Sequence, residues 1–86
     1  MGLDSVELVM AWGEEFGVSV SDGDVETLET PRMAVELIER LLEEDGRGVE
    51  REALERAMAA IVIEQLGIEP GAYHLDASFV RDLGVD

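Results

Sequence analysis

The stretch LDSVELVMAWGEEF, from Leu3 to Phe16, carries the pattern that decides the fold. Each residue of an α-helix advances by about 100°, so residues three or four positions apart share one side. The apolar side contains Ser5, Leu8, Val9, Trp12 and Phe16. The opposite side contains Asp4, Glu7, Ala11 and Glu14, with Leu3 and Met10 at its flank. Asp4 and Ser5 suit a first turn and Gly17 suits a helix end, so the stretch predicts an amphipathic helix.

Two further long helices are predicted. Thr30 and Pro31 are typical of a helix cap and a first helical position. The apolar side of the helix that they begin contains Met33 or Ala34, Leu37, Ile38, Leu41 and Leu42. The linker-like residues 43–48 separate it from a helix over residues 50–66, which Gly67 ends. A short helical turn over residues 24–28, capped by Asp24, precedes both.

The remaining residues, 68–86, lack a helical period and contain Pro, Gly and Asp. They predict a long loop that is pinned to the core by Ile68, Leu75, Phe79, Val80 and Leu83. The chain is therefore predicted to be one small all-α domain, a bundle of three or four helices.

Charge excludes several classes of partner. The 86 residues include 21 acidic and 6 basic side chains, for a net charge of −15. Nucleic acids and anionic membranes both attract basic proteins, so neither is expected as a partner. Partners with basic patches are expected instead. With no cysteine, no signal-peptide pattern and no apolar run of about 18 residues, the sequence favours a cytoplasmic protein.

No constellation of catalytic or metal-binding residues is apparent. His74 is the one histidine, and no spacing pairs it with Ser5, Ser19, Ser21 or Ser78 as in a hydrolase. We expect His74 to be a surface loop residue beside Tyr73. The acidic pairs lack the alternating spacing of a calcium loop. The chain is predicted not to be an enzyme and to hold no metal.

The acidic side of the first helix has two interpretations. It is an ordinary solvated face, or it is a docking surface whose acidic side chains surround the apolar Leu3 and Met10. An exposed apolar side chain inside a charged rim adds contact energy to electrostatic steering, which favours docking.

Two long stretches carry a family resemblance. LDSVELVMAWGEEFGVSVSDGDVETLETPRMAVELI, residues 3–38, is similar to the second half of an acyl carrier protein, a phosphopantetheine-binding carrier domain, where the pattern begins L-D-T-V-E-L-V-M-A-L-E-E-E-F. REALERAMAAIVIEQLGIEPGAYHLDASFVRDLGVD, residues 51–86, resembles the first half, which ends D-A-S-F-V-x-D-L-G-x-D. Residues 1–42 thus resemble family helices II–IV, residues 43–50 form a linker, and residues 51–86 resemble helix I and the long loop.

The two halves stand in reversed order, so the chain resembles a circularly permuted acyl carrier protein. In the family, the serine that receives phosphopantetheine lies between the D-L-G-x-D and L-D-T-V-E-L motifs. The register that matches residues 6–16 places that position on Gly2, which has no hydroxyl. The break therefore falls at the attachment site. An alternative alignment with the family places the attachment position on Ser5. Ser5 is expected at an exposed helix start, which a transferase could reach.

The resemblance also implies which residues meet partners. Asp4, Glu7, Met10 and Glu14 match positions that face basic patches on synthases and transferases, whereas Gly13 replaces an acid there. Trp12 stands where the family has a leucine beside the acyl chain. The Trp12 indole either fills the space that the acyl chain would occupy, or it packs in the core of a bundle whose helices follow one another in a different order.

We therefore expect an acyl-carrier-like interaction module of fatty-acid or polyketide-type metabolism, without a phosphopantetheine arm. One alternative is a functional carrier modified at Ser5. Another is a structural subunit or a domain-swapped homodimer, formed when the linker stays extended instead of turning back at Gly46 and Gly48.

Overall fold

The protein is an all-helical bundle. The computed structural model describes residues 3–85, and their side chains from Ser5 onward. Its helices are α1 (Leu3–Phe16), α2 (Asp22–Glu26), α3 (Pro31–Glu44) and α4 (Arg51–Leu66), and a single 3-10 turn follows at Pro70–Ala72. That part of the chain contains no strand, so the predicted fold class is confirmed. The expectations for Gly2 and for the Asp4 side chain lie outside what the structure describes.

The helix ends follow local signals. Gly17 and Gly67 end α1 and α4 with φ angles of 65° and 63°, in the left-handed region that glycine adopts without strain. The Thr30 hydroxyl oxygen accepts a hydrogen bond from the Met33 backbone N–H at 3.3 Å, with Pro31 in the first position of α3. These predictions are confirmed because each depends only on neighbouring residues.

The predicted cap of the short helix is wrong. Ser21, not Asp24, caps α2, and its hydroxyl oxygen accepts from the Asp24 backbone N–H at 3.1 Å. The helix therefore begins at Asp22 and ends at Glu26, earlier than expected. Asp24 lies in the first turn, where its carboxylate pairs with Arg40 at 3.4 Å. Serine and aspartate are both good caps, so composition alone did not separate them.

The core combines residues from both halves of the sequence. Both α1 and α3 pack on α4. The buried cluster contains Leu8, Trp12, Ala34, Val35, Ile38, Leu42, Leu54, Met58, Val62, Ala77, Phe79, Leu83 and Val85. The predicted inner sides of α1 and α3 are confirmed, but Val35 is fully buried and was missed, while Leu41 is only half-buried.

The C-terminal loop, residues 68–85, is pinned as predicted, with one error. Phe79 and Leu83 are buried, but Val80 is 68% exposed. The Phe79 N–H donates to the Glu29 carbonyl at 2.9 Å, and the Val85 N–H donates to the Phe79 carbonyl at 2.8 Å. These bonds turn Phe79 and Val85 inward and leave Val80 facing outward.

Arginine 32 fastens the same loop to the start of α3. Its guanidinium donates to both carboxylate oxygens of Asp76, at 2.7 and 3.1 Å, and its backbone N–H donates to the Leu75 carbonyl at 2.8 Å. The hydrogen bond from Arg32 lowers the pKa of Asp76, and it raises the pKa of Arg32 itself. Both side chains are largely exposed, so the backbone bond and the buried loop residues hold the loop more firmly than this pair.

Arginine 47 joins the linker to the end of α1. Its guanidinium donates to the Phe16 carbonyl at 3.1 Å and to the Gly17 carbonyl at 2.6 Å, and it pairs with Asp45 at 2.6 Å. The last carbonyls of a helix lack intrahelical partners and carry partial negative charge. Arg47 therefore caps α1 from the segment that connects the two halves.

We expect Arg47→Ala to lower the free energy of unfolding by about 1 kcal/mol, a modest loss because the side chain is partly exposed to water. For a domain of this size, that is a fall of about 4–8 °C in Tm. Thermal unfolding followed by circular dichroism measures it. Arg56→Ala, at an exposed position of α4, is the matched control, and an equal fall in both variants would contradict the capping role.

Tyrosine 73 gives the fold a specific dependence on alkaline pH. Burial raises the pKa of Tyr73 to about 12, and the charge of Glu55 adds to the effect. In the unfolded chain, the Tyr73 phenol ionises near pH 10. Burial of the neutral phenol therefore does not reduce the free energy of unfolding as long as the pH is below 10. Stability is lost as the pH rises towards 12, because only the unfolded state releases the proton in that window.

We expect stability to fall between pH 10 and 12 by about 1 kcal/mol, after discounting for the half-exposed side chain. The chain has one tyrosine, no lysine and no cysteine, so few other groups titrate there. Urea unfolding across this pH range should show the decline in wild type and a flatter profile in Tyr73→Phe. Parallel profiles would rule out Tyr73 as the cause.

Candidate docking surface

The outward side of α1 forms a coherent exposed surface, which we call the α1 face. It consists of Val6, Glu7, Met10, Ala11 and Glu14. Glu7 and Glu14 are exposed, and so are the apolar side chains of Met10, at 60%, and Val6, at 40%. The structure thus places three of the four predicted partner-binding residues together, and the side chain of the fourth, Asp4, lies outside the described part.

The same helical period that buries the core exposes this face. Leu8 and Trp12 are each 2% exposed and belong to the buried cluster. Residues on the far side of the helix must then face water, because α1 packs on α4 along one side only. Val6 was not among the predicted partner-binding residues. Its position four residues before Met10 on one helix was the signal that could have found it.

A shallow groove separates the α1 face from α4. It has a volume of about 270 Å³ and is lined by Glu7, Met10, Ala11, Glu14 and Gln65. Gln65 comes from α4, so the surface extends across two helices. The Gln65 amide can both donate and accept hydrogen bonds, which gives the groove one neutral polar contact among acidic side chains.

The acids of this face have no cation within the described structure. Arg32, Arg40, Arg47 and Arg51 pair with Asp76, Asp24, Asp45 and a set of three glutamates. Within residues 5–85, no ion pair involves Glu7 or Glu14. Their negative charge is therefore available to an approaching basic surface, and it steers that approach over about 10 Å at moderate salt.

Beneath the α1 face, the interior is filled by an aromatic pair. The Trp12 and Phe79 ring centroids lie 6.2 Å apart with the rings tilted by 50°, a favourable arrangement for aromatic packing. Among the residues that the structure describes, the buried Trp12 indole N–H has no hydrogen-bond partner. The indole therefore serves the core through its ring, as in the core-packing interpretation of Trp12, and its N–H contributes nothing favourable.

Chemistry-bearing residues elsewhere remain scattered. His74 is an exposed loop residue beside the half-buried Tyr73, as predicted. Among the residues that the structure describes, no cluster of three acidic or histidine side chains could hold a metal ion. No helix in that part of the chain is long and apolar enough to cross a membrane.

A phosphopantetheine arm requires a surface hydroxyl, and the start of α1 offers one candidate. Ser5 lies in the first turn of α1 and is partly exposed. Free N–H groups at a helix start favour a phosphate, so the chemistry of this position fits the arm. Gly2, which the other register selects, has no side chain to modify.

Comparison with known proteins finds partial similarity to acyl carrier proteins. The chain is 46% identical over 44 residues to the chloroplastic acyl carrier protein 4 of Cuphea lanceolata. The aligned segment covers 51% of this chain and 32% of that protein. The chain is 51% identical over 37 residues to acyl carrier protein 2 of Pseudomonas aeruginosa, covering 43% of this chain and 47% of that protein. The chain therefore spans less than half the length of these curated relatives. No family model and no solved structure matches it.

We expect Trp12→Phe to change the free energy of unfolding by less than about 1 kcal/mol. The smaller ring loses contact area, but the unpaired N–H, which costs about 1–3 kcal/mol when buried, is removed. Trp12→Ala should cost about 3–5 kcal/mol, because it leaves a cavity. Urea unfolding followed by far-ultraviolet circular dichroism measures both. A loss in Trp12→Phe as large as in Trp12→Ala would show that the indole N–H has a partner.

Proposed function

We propose that this chain, which is similar over about half its length to acyl carrier proteins, is a non-enzymatic interaction module of fatty-acid or polyketide-type metabolism. It docks through the α1 face with basic patches on carrier-dependent synthases and transferases. One observation carries the proposal: Glu7, Met10 and Glu14 share an exposed face, and within residues 5–85 no ion pair involves its acids.

The composition of the face suits this role. Glu7 and Glu14 raise the rate of encounter with a basic surface, because opposite charges attract before contact. Met10 and Val6 then lose exposed apolar area on contact, which slows dissociation. Val6 and Met10 lie one helical turn apart, so their exposed areas can form one apolar contact beside the acids.

We assign the module a circularly permuted topology. The half that resembles the end of an acyl carrier protein precedes the half that resembles its beginning. Both halves contribute to one core, in which Trp12 of the first half packs on Phe79 of the second. The linker between them is tied back to α1 by Arg47. The permuted monomer that we propose is distinguished from the domain-swapped dimer by its mass in solution.

The module is proposed to lack the phosphopantetheine arm. The sequence register that aligns residues 6–16 with the family places the attachment position on Gly2. The chain has no cysteine that could carry a thioester instead. A cytoplasmic location fits such a module and is part of the proposal.

The second candidate is a true carrier modified at Ser5. The observation that favours it is the position of Ser5 in the first turn of α1, where backbone N–H groups favour a phosphodiester. When bound at Ser5, phosphopantetheine would supply a thiol for acyl thioesters. This candidate shares the docking face, so the two functions differ only in the arm.

Incubation with coenzyme A, Mg²⁺ and a broad-specificity phosphopantetheinyl transferase, followed by intact-mass analysis, separates the two candidates. The proposed module keeps its mass, while an authentic carrier in the same reaction gains the arm. A gain of one phosphopantetheine in wild type that disappears in Ser5→Ala would establish the second candidate.

Docking is tested by the binding of fluorescently labelled protein to a carrier-dependent synthase at low and high salt. Reversing the charge with Glu7→Arg and Glu14→Arg together should weaken binding at least tenfold and flatten its salt dependence. Glu43→Arg, in the last turn of α3, changes the net charge at a site outside the α1 face. Equal affinities for all these proteins would mean that the α1 face is only a solvated surface.

A further inference from the structure

We propose that a groove beside the linker is a second interaction site, which holds an extended, basic peptide segment of a partner protein through one large apolar side chain. This linker groove lies between the ends of α1 and α3, the linker and the start of α4. It is lined by Glu15, Phe16, Leu42, Arg47, Val49, Ala53, Leu54 and Ala57. It shares no lining residue with the α1 face, so the inference does not rest on the proposed function.

Most of the side chains that line the linker groove are apolar. Leu42 and Leu54 belong to the buried core cluster, and Phe16 packs against that cluster. Val49 lines the same groove but is 50% exposed. A bound apolar side chain would remove Val49 from water, and the hydrophobic gain grows with the area that is covered.

The size of the linker groove limits what it can hold. Its volume is about 320 Å³, which is at the small end of the range of about 300–1,000 Å³ for ligand pockets. One side chain of the size of leucine or phenylalanine fits this space, and a folded partner surface would contact only its rim. The occupant is therefore expected to be a peptide segment that inserts a single anchor.

The surroundings of the linker groove are acidic. Glu15 lines the groove, Glu50 directly follows Val49, and Glu43 lies beside Gly48 of the linker. All three carboxylates are exposed, and within residues 5–85 no ion pair involves any of them. Their charge attracts a basic segment and opposes an acidic one, which sets the charge of the occupant.

The one cation that lines the linker groove does not reverse this preference. The Arg47 guanidinium already pairs with Asp45 at 2.6 Å and donates to the carbonyls of Phe16 and Gly17. Its charge is therefore balanced by a carboxylate and by the partial negative charge at the end of α1. An anionic ligand would have to compete with these partners.

The linker also offers backbone groups to an extended peptide. Residues 47–50 are not helical. Within residues 3–85, the N–H groups of Gly48 and Val49 donate to no backbone carbonyl. An extended chain that lies along this segment can pair with such open groups, as peptides do at the edges of sheets. Backbone pairing would add to the contact of the anchor side chain.

The experiment measures the binding of three acetylated, amidated peptides with the same fluorescent label by fluorescence anisotropy. Lys-Lys-Leu-Phe-Lys-Lys carries both the charge and the apolar anchor. Lys-Lys-Ser-Ser-Lys-Lys keeps the charge alone, and Glu-Glu-Leu-Phe-Glu-Glu keeps the anchor with the opposite charge. Wild type should bind the first peptide about tenfold more tightly than the second, and should bind the third more weakly than either.

Two substitutions on α4 form a matched pair that locates the site. Ala53 lines the linker groove and Ala60 does not, and both are exposed. Ala53→Phe should fill the groove and abolish the preference for the Leu-Phe peptide, whereas Ala60→Phe should keep it. Neither substitution alters the net charge, so general attraction of basic peptides cannot produce the difference. Unchanged circular dichroism confirms that both variants are folded.

A second pair tests the charge. Glu15→Arg and Glu64→Arg alter the net charge equally and are both at exposed positions, but only Glu15 lines the linker groove. Glu15→Arg should weaken binding of the basic Leu-Phe peptide about threefold more than Glu64→Arg does, because nearby charges interact more strongly than distant, screened ones.

Three results would overturn the inference. Equal affinity of wild type for the two basic peptides would mean that net charge alone attracts them. The same loss of preference in Ala53→Phe and Ala60→Phe, or in neither, would place binding outside the linker groove. Displacement of the bound peptide by decanoate would assign the groove to an acyl chain with an anionic head instead of a basic segment.

Discussion

The packing of Trp12 against Phe79 joins the beginning of the sequence to its end, and much of the structure depends on it. Trp12 belongs to α1 and Phe79 to the C-terminal loop, and both enter the cluster built around Met58 and Val62 of α4. Large aromatic side chains contribute much of the apolar area in a small core. The contact lies on the inner side of α1, and Glu7, Met10 and Glu14 lie on its exposed side.

Four of the six arginines, Arg32, Arg40, Arg47 and Arg51, form ion pairs in the part of the chain that the structure describes. Arg32 joins α3 to the C-terminal loop, and Arg47 joins the linker to α1. Arg51 connects α4 to α3 through Glu36 and Glu39, and also pairs with Glu55 of its own helix. These four arginines pair with acids outside α1, and in residues 5–85 no ion pair involves Glu7 or Glu14. The acidity of the α1 face is therefore a consequence of how the fold distributes its charge.

The function we propose separates two properties that a carrier combines. One is recognition, for which an exposed helix face with the right charge and a small apolar contact is sufficient. The other is transport, which needs a reactive arm and a place for its cargo. Our proposal assigns recognition to Glu7, Glu14 and Met10, and it takes the lack of a hydroxyl at Gly2 as its reason for proposing no transport.

Most of the fold and most of the candidate site could be predicted from the sequence, since both rest on helical periodicity. The period of α1 fixed Leu8 and Trp12 as inner residues and Glu7, Met10 and Glu14 as outer ones. Thr30, Gly17 and Gly67 fixed three helix ends through their own side chains or lack of one. Burial in the C-terminal loop was harder to predict, because Ala77, Val80 and Val85 follow no repeating pattern that distinguishes buried from exposed positions.

The sequence by itself thus determined the helices, their inner sides and the acidic outer side of α1, because each follows from interactions between residues at most a few positions apart. The folded structure alone shows that Val85 is buried while Val80 is exposed, and that Arg47 reaches the Phe16 carbonyl across 31 residues. These outcomes depend on which distant backbone atoms come within hydrogen-bond range once the core has closed, and a one-dimensional pattern does not encode that distance.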